Sequence, residues 1–142
     1  MQIRDLEIND YHLKYCDLIQ HAFQTDFKYI QYLDFKNFVT ELDKNHYIKV
    51  IEENGEIVAS GTLLIENKLI HQLGKVGHIE DIFVNPDYQG EGLGQEIVTY
   101  LIELSKHKNC YKCILNCHVN LIKFYQKCGL EPKNMQMVKY FK

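Results

Sequence analysis

Apolar positions recur along the chain with two different spacings, and the spacing predicts the secondary structure. Apolar residues three or four positions apart favour helices at residues 11–23, 34–42, 93–107 and in a short segment that stops at Gly129. Alternating or continuous apolar runs favour strands at residues 2–8, 47–51, 57–65, 77–84, 111–117 and 135–141. The predicted order is β-α-α-β-β-β-α-β-α-β, a mixed α/β (α+β) fold in which helices cover both faces of one mixed sheet.

Three local signals refine this order. Asn54-Gly55 lies between two predicted strands and is a strong hairpin signal. Asp34 is placed to cap the second helix. The polar pair Glu80-Asp81 interrupts an otherwise apolar strand, which predicts an inserted residue or a splayed strand at that point.

The composition indicates one globular domain over residues 1–142, without linkers or repeats. No apolar run approaches the roughly 20 residues that span a bilayer, and the acidic segment 1–10 does not resemble a secretory signal. The formal net charge of −3 argues against a duplex nucleic-acid binder. We therefore expect neither a membrane nor a nucleic acid as partner.

Five cysteines without a signal sequence predict free thiols in a reducing, cytoplasmic compartment. Cys110, Cys113 and Cys117, followed by His118, raise the alternative of a zinc site. Because Cys110 and Cys113 are an odd number of positions apart in a predicted strand, we expect them on opposite faces. Ligands on opposite faces do not converge on one ion, so no metal is predicted.

A glycine-rich segment carries the clearest chemical signal: Gln89-Gly90-Glu91-Gly92-Leu93-Gly94, between a predicted strand and a predicted helix. Glycines let the backbone curl and approach a ligand, and the unpaired amides of a helix N-terminus bind phosphate groups. A P-loop is excluded because Gln95-Glu96 follows Gly94, and the position late in the chain disfavours a dinucleotide fingerprint. A plain surface turn is the remaining alternative.

The element order, with this loop after the fourth strand, resembles the GNAT superfamily of acetyl-CoA-dependent N-acetyltransferases. The superfamily loop reads Gln/Arg-x-x-Gly-x-Gly/Ala, and Gln89, Gly92 and Gly94 match it. The resemblance implies that the loop holds the pyrophosphate of acetyl-CoA. It also implies that the pantetheine arm lies where a bulged fourth strand separates from the fifth.

Four separated segments resemble, more closely, the eukaryotic glucosamine 6-phosphate N-acetyltransferase family. They are residues 66–71, 75–81, 109–112 and 123–129, and the similarity runs in register from about residue 46 to residue 130. Residues 1–45 match only in outline. The resemblance implies acetyl transfer from acetyl-CoA to the 2-amino group of glucosamine 6-phosphate, a step toward UDP-GlcNAc, by direct attack in a ternary complex. It also implies a homodimer whose C-terminal strand packs against the partner.

The resemblance assigns a role to each matching position. Catalytic roles fall to Tyr125, Glu80, Asp81 and Asn116. Contacts with the sugar phosphate fall to Lys68, Leu69, Ile70, His71, Glu80, Asp81, Ile82, Tyr111, Lys112 and Asn116. Contacts with acetyl-CoA fall to Ile82, Phe83, Val84, Gln89, Gly90, Glu91, Gly92, Leu93, Gly94, Gln95, Tyr125, Gln126 and Lys127.

Two positions depart from the family pattern. Asn116 replaces an acidic residue, and asparagine can hydrogen-bond but cannot carry charge. Val138, Lys139 and Tyr140 stand where the family supplies an arginine toward the sugar phosphate. We also ask whether Thr25 reaches the sugar.

Each set of candidate site residues also has a purely structural interpretation. Lys68 and His71 are also typical of a solvated turn, Glu80 and Asp81 of a protected strand edge, and Tyr125 of an ordinary half-buried helix residue. Acceptors such as a polyamine, an aryl amine or a peptide, and a non-catalytic acyl-CoA-binding module, are the alternative functions.

Overall fold

A five-stranded sheet forms the centre of the computed structural model, which describes residues 2–23 and 30–141. The strands follow one another across the sheet as β1 (Ile3–Asp5), β2 (His46–Glu53), β3 (Glu56–Asn67), β4 (Lys75–Val84) and β5 (Cys110–Ile114). Strands β1 to β4 pair antiparallel, and β4 pairs with β5 in parallel. The predicted mixed sheet is therefore confirmed.

Helices cover both faces of this sheet. They are α1 (Tyr15–Phe23), α2 (Tyr32–Thr40), the single turn α3 (Ile70–Leu73), α4 (Leu93–His107) and α5 (Ile122–Lys127). Successive residues of a strand point to opposite faces. Accordingly, Val50 of β2 belongs to the cluster that contains Leu18 and Phe35, whereas Ile51 belongs to the cluster of Ile97 and Val98. The two-sided mixed α/β fold class is confirmed.

The hairpin between β2 and β3 forms where the sequence predicts it. Asn54 has a φ of 53° and Gly55 has a φ of 77°. Two consecutive positive φ values are what a type I′ turn requires, and asparagine followed by glycine adopts them at little cost. This turn sets the first two pairs of β2 with β3, and an irregularity between Ile51 and Glu52 then shifts the register of the remaining pairs.

The helix predicted over residues 11–23 is divided in two. A 3-10 helix (Ile8–Leu13) ends at Lys14, whose φ is 65°, and α1 begins at Tyr15. The physical reason is Asp10, whose carboxylate is fully buried and accepts bonds of 2.8 and 3.0 Å from Arg4. Spacing of apolar residues does not reveal this polar anchor, and the prediction of one continuous helix is wrong.

Arg4, the chain's one arginine, is committed to this anchor. Its guanidinium bonds both oxygens of Asp10 and reaches Glu52 at 2.7 Å. The bonds to Asp10 raise the pKa of Arg4, so it is charged at every ordinary pH. Removing one partner of such a buried pair leaves an uncompensated charge, which makes the pair essential to this corner of the fold.

The strand predicted at residues 135–141 is not formed in the single chain. Residues 135–141 have no strand partner among the described residues, and Met137 and Phe141 are 92% and 87% exposed. Alternation in the sequence shows only that a segment suits pairing. Here no edge of the chain's own sheet takes it up.

Candidate active site

A β-bulge interrupts β4 at the predicted position. Thr62 pairs with Glu80 and Ser60 pairs with Phe83, so Gly61 alone faces the two residues Asp81 and Ile82. Asp81 has a φ of 52°, a left-handed conformation that aspartate tolerates better than most residues. The interruption read from Glu80-Asp81 is confirmed as an inserted residue.

Gly61 explains why the bulge fits here. A Cβ on Gly61 would lie 2.6 Å from Cδ1 of Ile82 and 2.9 Å from Cδ1 of Leu101. The absent side chain therefore leaves the space that Ile82 and helix α4 occupy. Sequence reasoning missed this residue, although a glycine inside a strand is a recognised sign of a bulge.

Part of one edge of β4 has no strand partner within residues 2–23 and 30–141. β5 pairs with β4 only as far as His78 and Ile114, whereas β3 stays paired with β4 up to Val84. Among the described residues, β4 therefore has a neighbouring strand on one side only from Ile79 to Val84. Its main-chain N–H and C=O groups on the other side can pair with an extended ligand in the manner of an added strand. This is the splayed edge that the sequence predicts.

The glycine loop lies at the end of this edge and opens into helix α4. Gly90 and Gly92 have φ values of 86° and 83°, and a Cβ on either would meet no atom within 4 Å. The first bond of the helix runs from the Glu96 amide to the Gly92 carbonyl at 3.0 Å. The amides of residues 93–95 precede that bond, so they have no partner inside the helix. A positive helix end with open space before it suits a diphosphate.

Helix α5 closes the site from the side of α4. A Cβ on Gly94 would lie 3.3 Å from Cζ of Phe124, which shows how closely α5 packs on the first turn of α4. Tyr125 packs in the same apolar cluster as Ile82 and Val84 of the splayed edge. Burial raises the pKa of the half-buried Tyr125 hydroxyl, and the neighbouring thiols Cys117 and Cys128 add to the shift. Tyr125 is therefore a protonated hydrogen-bond donor at neutral pH.

A second group of predicted site residues gathers at the opposite end of β4. His71 and Gln72 of α3 have φ values of 53° and 58°, and Leu73 continues this left-handed turn. The turn lays the ring of His71 against Tyr111 of β5, with 4.1 Å between ring centroids. Strained backbone of this kind persists where the surrounding structure holds a side chain in place.

Glu66 connects this group to the sheet. Its two oxygens bind different partners: Nζ of Lys68 at 3.1 Å and Nε2 of His78 at 2.9 Å. These bonds, that from His78 first, lower the pKa of Glu66. Sequence reasoning assigned no role to Glu66 or His78. Their pairing across the antiparallel strands β3 and β4 depends on register, which spacing alone does not fix.

Comparison with known proteins agrees with this geometry. Residues 5–130 match the family model described as the acetyltransferase (GNAT) family. A glucosamine 6-phosphate N-acetyltransferase of Arabidopsis thaliana is 38% identical, over 99% of this chain and 96% of that protein. The Dictyostelium discoideum protein of that name is 34% identical, over 99% and 90%. The Arabidopsis crystal structure superimposes with a TM-score of 0.93, covering 99% of this chain and 98% of that one.

The chain belongs to the GNAT acetyltransferase family. GNAT acetyltransferases use acetyl-CoA. The splayed edge of this acetyltransferase offers main-chain groups of the kind that pair with an extended chain, and its glycine loop offers amides of the kind that bind phosphate.

Some predicted site residues lie outside both groups, that of the splayed edge with the glycine loop and that around His71 and Tyr111. Asn116 is exposed and lies two residues beyond the end of β5, and Gln126 and Lys127 are exposed on α5. Thr25 lies outside the residues that the structure describes. The sequence therefore locates the acetyltransferase scaffold better than the outer contacts of its site.

The cysteines of the acetyltransferase correct one prediction. Lys75 pairs with Cys110 but Val76 pairs with Lys112, so Tyr111 is an extra residue in β5. This irregularity returns Cys113 to the face of Cys110, and both pack against the cluster of Leu63 and Leu101. The expectation of opposite faces is wrong. Across residues 2–23 and 30–141, no group of three or more His, Cys, Asp or Glu residues could hold a metal ion.

Proposed function

We propose that this acetyltransferase transfers the acetyl group of acetyl-CoA to the 2-amino group of glucosamine 6-phosphate. The observation that carries the proposal is the bulged, half-unpaired β4, with Asp81 at the bulge and Tyr125 near its edge, in a chain whose relatives bear the name of that activity. The product is an N-acetylated amino-sugar phosphate, which belongs to amino-sugar metabolism and precedes UDP-GlcNAc.

The amine must lose a proton before it attacks the thioester carbon. Glu80 and Asp81 supply carboxylates on the strand where the acetyl group would lie, and Asp81 is exposed to solvent. Either carboxylate can take the proton through a water molecule. Asn116 has no charge to offer and lies outside both groups of site residues, so in our proposal it contributes at most a hydrogen bond to the substrate.

The charge that develops during transfer needs two donors. A bulge leaves its extra residue out of the sheet ladder. In our proposal a main-chain N–H of that residue stabilises the oxyanion, a contribution worth roughly 3 kcal/mol in other acyl transfers. Tyr125 would donate its proton or a hydrogen bond to the departing thiolate. The five thiols of the chain have no part in this direct transfer.

The coenzyme and the sugar phosphate would occupy different surfaces. Main-chain groups of residues 82–84 would pair with the pantetheine arm, and the amides of residues 89–95 would hold the pyrophosphate, with residues 125–127 beside them. Lys68, His71, Tyr111 and Lys112 form the basic, aromatic group that suits a sugar phosphate. With Arg4 engaged by Asp10, lysine and histidine take the place of arginine at the phosphate.

A homodimer would bring the parts of the sugar site together. Lys75 lies next to the basic group, and Asp81 lies at the bulge, six positions further along β4. Six residues of extended strand span roughly 20 Å, which is longer than a hexosamine phosphate. The C-terminal tail exposes apolar side chains, which include Met135, Met137 and Phe141, and such a patch is typical of a protein–protein interface. We propose that a second copy of the chain buries this tail and contributes its own basic group to the sugar site. Light scattering should give about twice the 16.8 kDa chain mass.

The proposed partners are otherwise small molecules. We infer a cytoplasmic location because all five cysteines are free thiols. None of the helices within the described ranges has the length and apolar character that crossing a membrane requires. The net charge of −3 gives no support to a nucleic-acid partner.

Release of free thiol from acetyl-CoA tests the acceptor. We expect saturable release with glucosamine 6-phosphate, and a far higher KM with glucosamine, which differs only in lacking the phosphate that the basic group would bind. Spermidine, a cation, should be inactive. Equal rates with and without the phosphate would refute the sugar-phosphate assignment, whereas binding of acetyl-CoA without thiol release for any acceptor would indicate a non-catalytic module.

A further inference from the structure

The space beside Gly61 on β3, here called the Gly61 notch, is filled by a side chain from the bulge. A Cβ on Gly61 would lie 2.6 Å from Cδ1 of Ile82, which is closer than two carbon atoms can pack. Cδ1 of Leu101 and Cγ1 of Ile97 would follow at 2.9 and 3.5 Å. The end of the Ile82 side chain therefore occupies the volume that any other residue at position 61 would need.

This contact joins the bulge to helix α4. Ile82 is one of the two bulge residues that face Gly61. Its side chain packs both with the cluster of Ile97 and with the cluster of Leu101, two residues of α4 that are fully buried. The first amides of the same helix are those that would hold the diphosphate. Ile82 therefore connects the bulge to the helix that would bind the other end of the coenzyme.

The bulge is the part of this contact that yields most easily. Strand β3 is paired on both sides, with β2 and with β4. Ile97 and Leu101 have no exposed surface, so α4 has no free space to move into. Ile82 is only partly buried, and within residues 2–23 and 30–141 its stretch of β4 has a neighbouring strand on one side only. A group added in the Gly61 notch would therefore displace the main chain of the bulge.

We propose that Gly61 is a positioning residue for acetyl transfer: by leaving the Gly61 notch to Ile82, it sets where the main chain of the bulge lies relative to the thioester carbon. The inference rests on the proposed transfer at the β4 edge, and it gives Gly61 no contact with either substrate. A misplacement of about 1 Å at a reacting centre can cost about 100-fold in rate. One methyl group at residue 61 is therefore enough to change kcat strongly.

Gly61→Ala should lower kcat for thiol release with glucosamine 6-phosphate at least tenfold. The KM for acetyl-CoA should change less than threefold, because the glycine loop and its amides are untouched. The φ of Gly61 lies outside the left-handed region, so alanine fits the backbone and adds only its methyl group. A loss confined to kcat distinguishes a displaced reacting centre from weaker binding.

A second substitution restores the volume of the Gly61 notch. Ile82→Val removes Cδ1, so the double variant Gly61→Ala/Ile82→Val replaces the methyl group lost at residue 82 by one at residue 61. Volume-conserving exchanges are the ones that a core tolerates best. We expect kcat of the double variant within twofold of wild type. Ile82→Val alone leaves the Gly61 notch partly empty and should lower kcat about fivefold, so each change offsets the other.

Gly61→Ala/Leu101→Val is the matched control. It relieves the other close contact of the new methyl group, on α4, and leaves Cδ1 of Ile82 in place. It should keep the low kcat of Gly61→Ala. Urea unfolding of every variant reports packing separately. If Gly61 served packing alone, kcat per folded molecule would stay constant, and the two second substitutions would act through the urea midpoint only.

Wild-type kcat in folded Gly61→Ala, or recovery with Leu101→Val in place of Ile82→Val, would overturn the inference. If Gly61→Ala does not fold, the comparison passes to Ile82→Val and the double variant, and a double variant no faster than Ile82→Val would overturn it equally.

Nuclear magnetic resonance separates this inference from the proposed acceptor. Wild-type protein that binds acetyl-CoA but releases no thiol with glucosamine 6-phosphate would refute the acceptor. The amide resonances of Asp81 and Ile82 in the free protein then decide the inference. We expect them to shift in Gly61→Ala and to return toward their wild-type positions in Gly61→Ala/Ile82→Val. Unshifted resonances in Gly61→Ala would show that residue 61 does not position the bulge.

Discussion

Tyr125→Phe is expected to lower kcat about 100-fold or more, within the range for loss of a positioned proton donor. The KM for acetyl-CoA should change little, because the ring that packs with Ile82 and Val84 is retained and only the hydroxyl is lost. Steady-state thiol release gives kcat, and calorimetry gives the affinity for acetyl-CoA. An effect confined to kcat is the signature of an interaction made mainly in the transition state.

The pH profile separates a donor from a packing residue. A tyrosine donates only while protonated, and its burial places the pKa of Tyr125 above the ordinary value of 10.0. The wild-type kcat should therefore show no alkaline loss from this group below about pH 10. In Tyr125→Phe, any alkaline loss caused by this group should disappear.

Tyr11→Phe is the matched control for Tyr125→Phe. The Tyr11 hydroxyl bonds the Ile30 carbonyl at 3.0 Å, on the opposite side of the sheet from α5. Its removal costs one hydrogen bond of about 1 kcal/mol in the free energy of unfolding, with kcat unchanged. If Tyr125→Phe turned over as fast as wild type, Tyr125 would have no part in the chemistry.

Local signals predicted the central elements well because each one depends on near neighbours. Asn54 and Gly55 need only their own left-handed conformations to make the hairpin. Helix α4 needs only its apolar stripe and the glycines before it, and it spans Leu93–His107 as predicted. The Glu80-Asp81 interruption likewise appears in the strand itself. The family resemblance then joined these pieces into one fold.

Features that depend on distant partners were not predictable in this way. The anchor between Arg4 and Asp10 divides the first helix, and no periodicity of apolar residues shows a buried ion pair. The extra residue Tyr111 reverses the expected face of Cys113, because alternation assumes an unbroken register. The bridge from Glu66 to His78 and Lys68 requires β3 and β4 already paired. The tail at residues 135–141 has no strand partner among the described residues, and alternation within a segment does not show which strand it would pair with.

Gly92→Asp should weaken acetyl-CoA binding about 100-fold or more by calorimetry. Gly92 is the cap residue of α4, and the space where its Cβ would lie is empty to 4 Å. A carboxylate in that space would face the negative diphosphate and offset the positive end of the helix. Its φ of 83° adds a strain of about 1 kcal/mol for a residue with a side chain.

Two control variants distinguish how the charge, the backbone strain and the position of the new side chain in Gly92→Asp each affect acetyl-CoA binding. Gly92→Asn has nearly the same shape and the same backbone strain without the charge, so it should bind acetyl-CoA more tightly than Gly92→Asp, with a gap that narrows as salt is raised. Gly55→Asp introduces the same side chain at a φ of 77° in the β2–β3 hairpin. This hairpin borders the glycine loop through the 3.3 Å bond from the Asn54 side-chain amide to the Tyr88 hydroxyl. Because residue 55 lies outside the loop itself, this variant should leave binding unchanged. Because only the aspartate at residue 92 combines negative charge with the mouth of the glycine loop, undiminished affinity in that variant would place the diphosphate elsewhere.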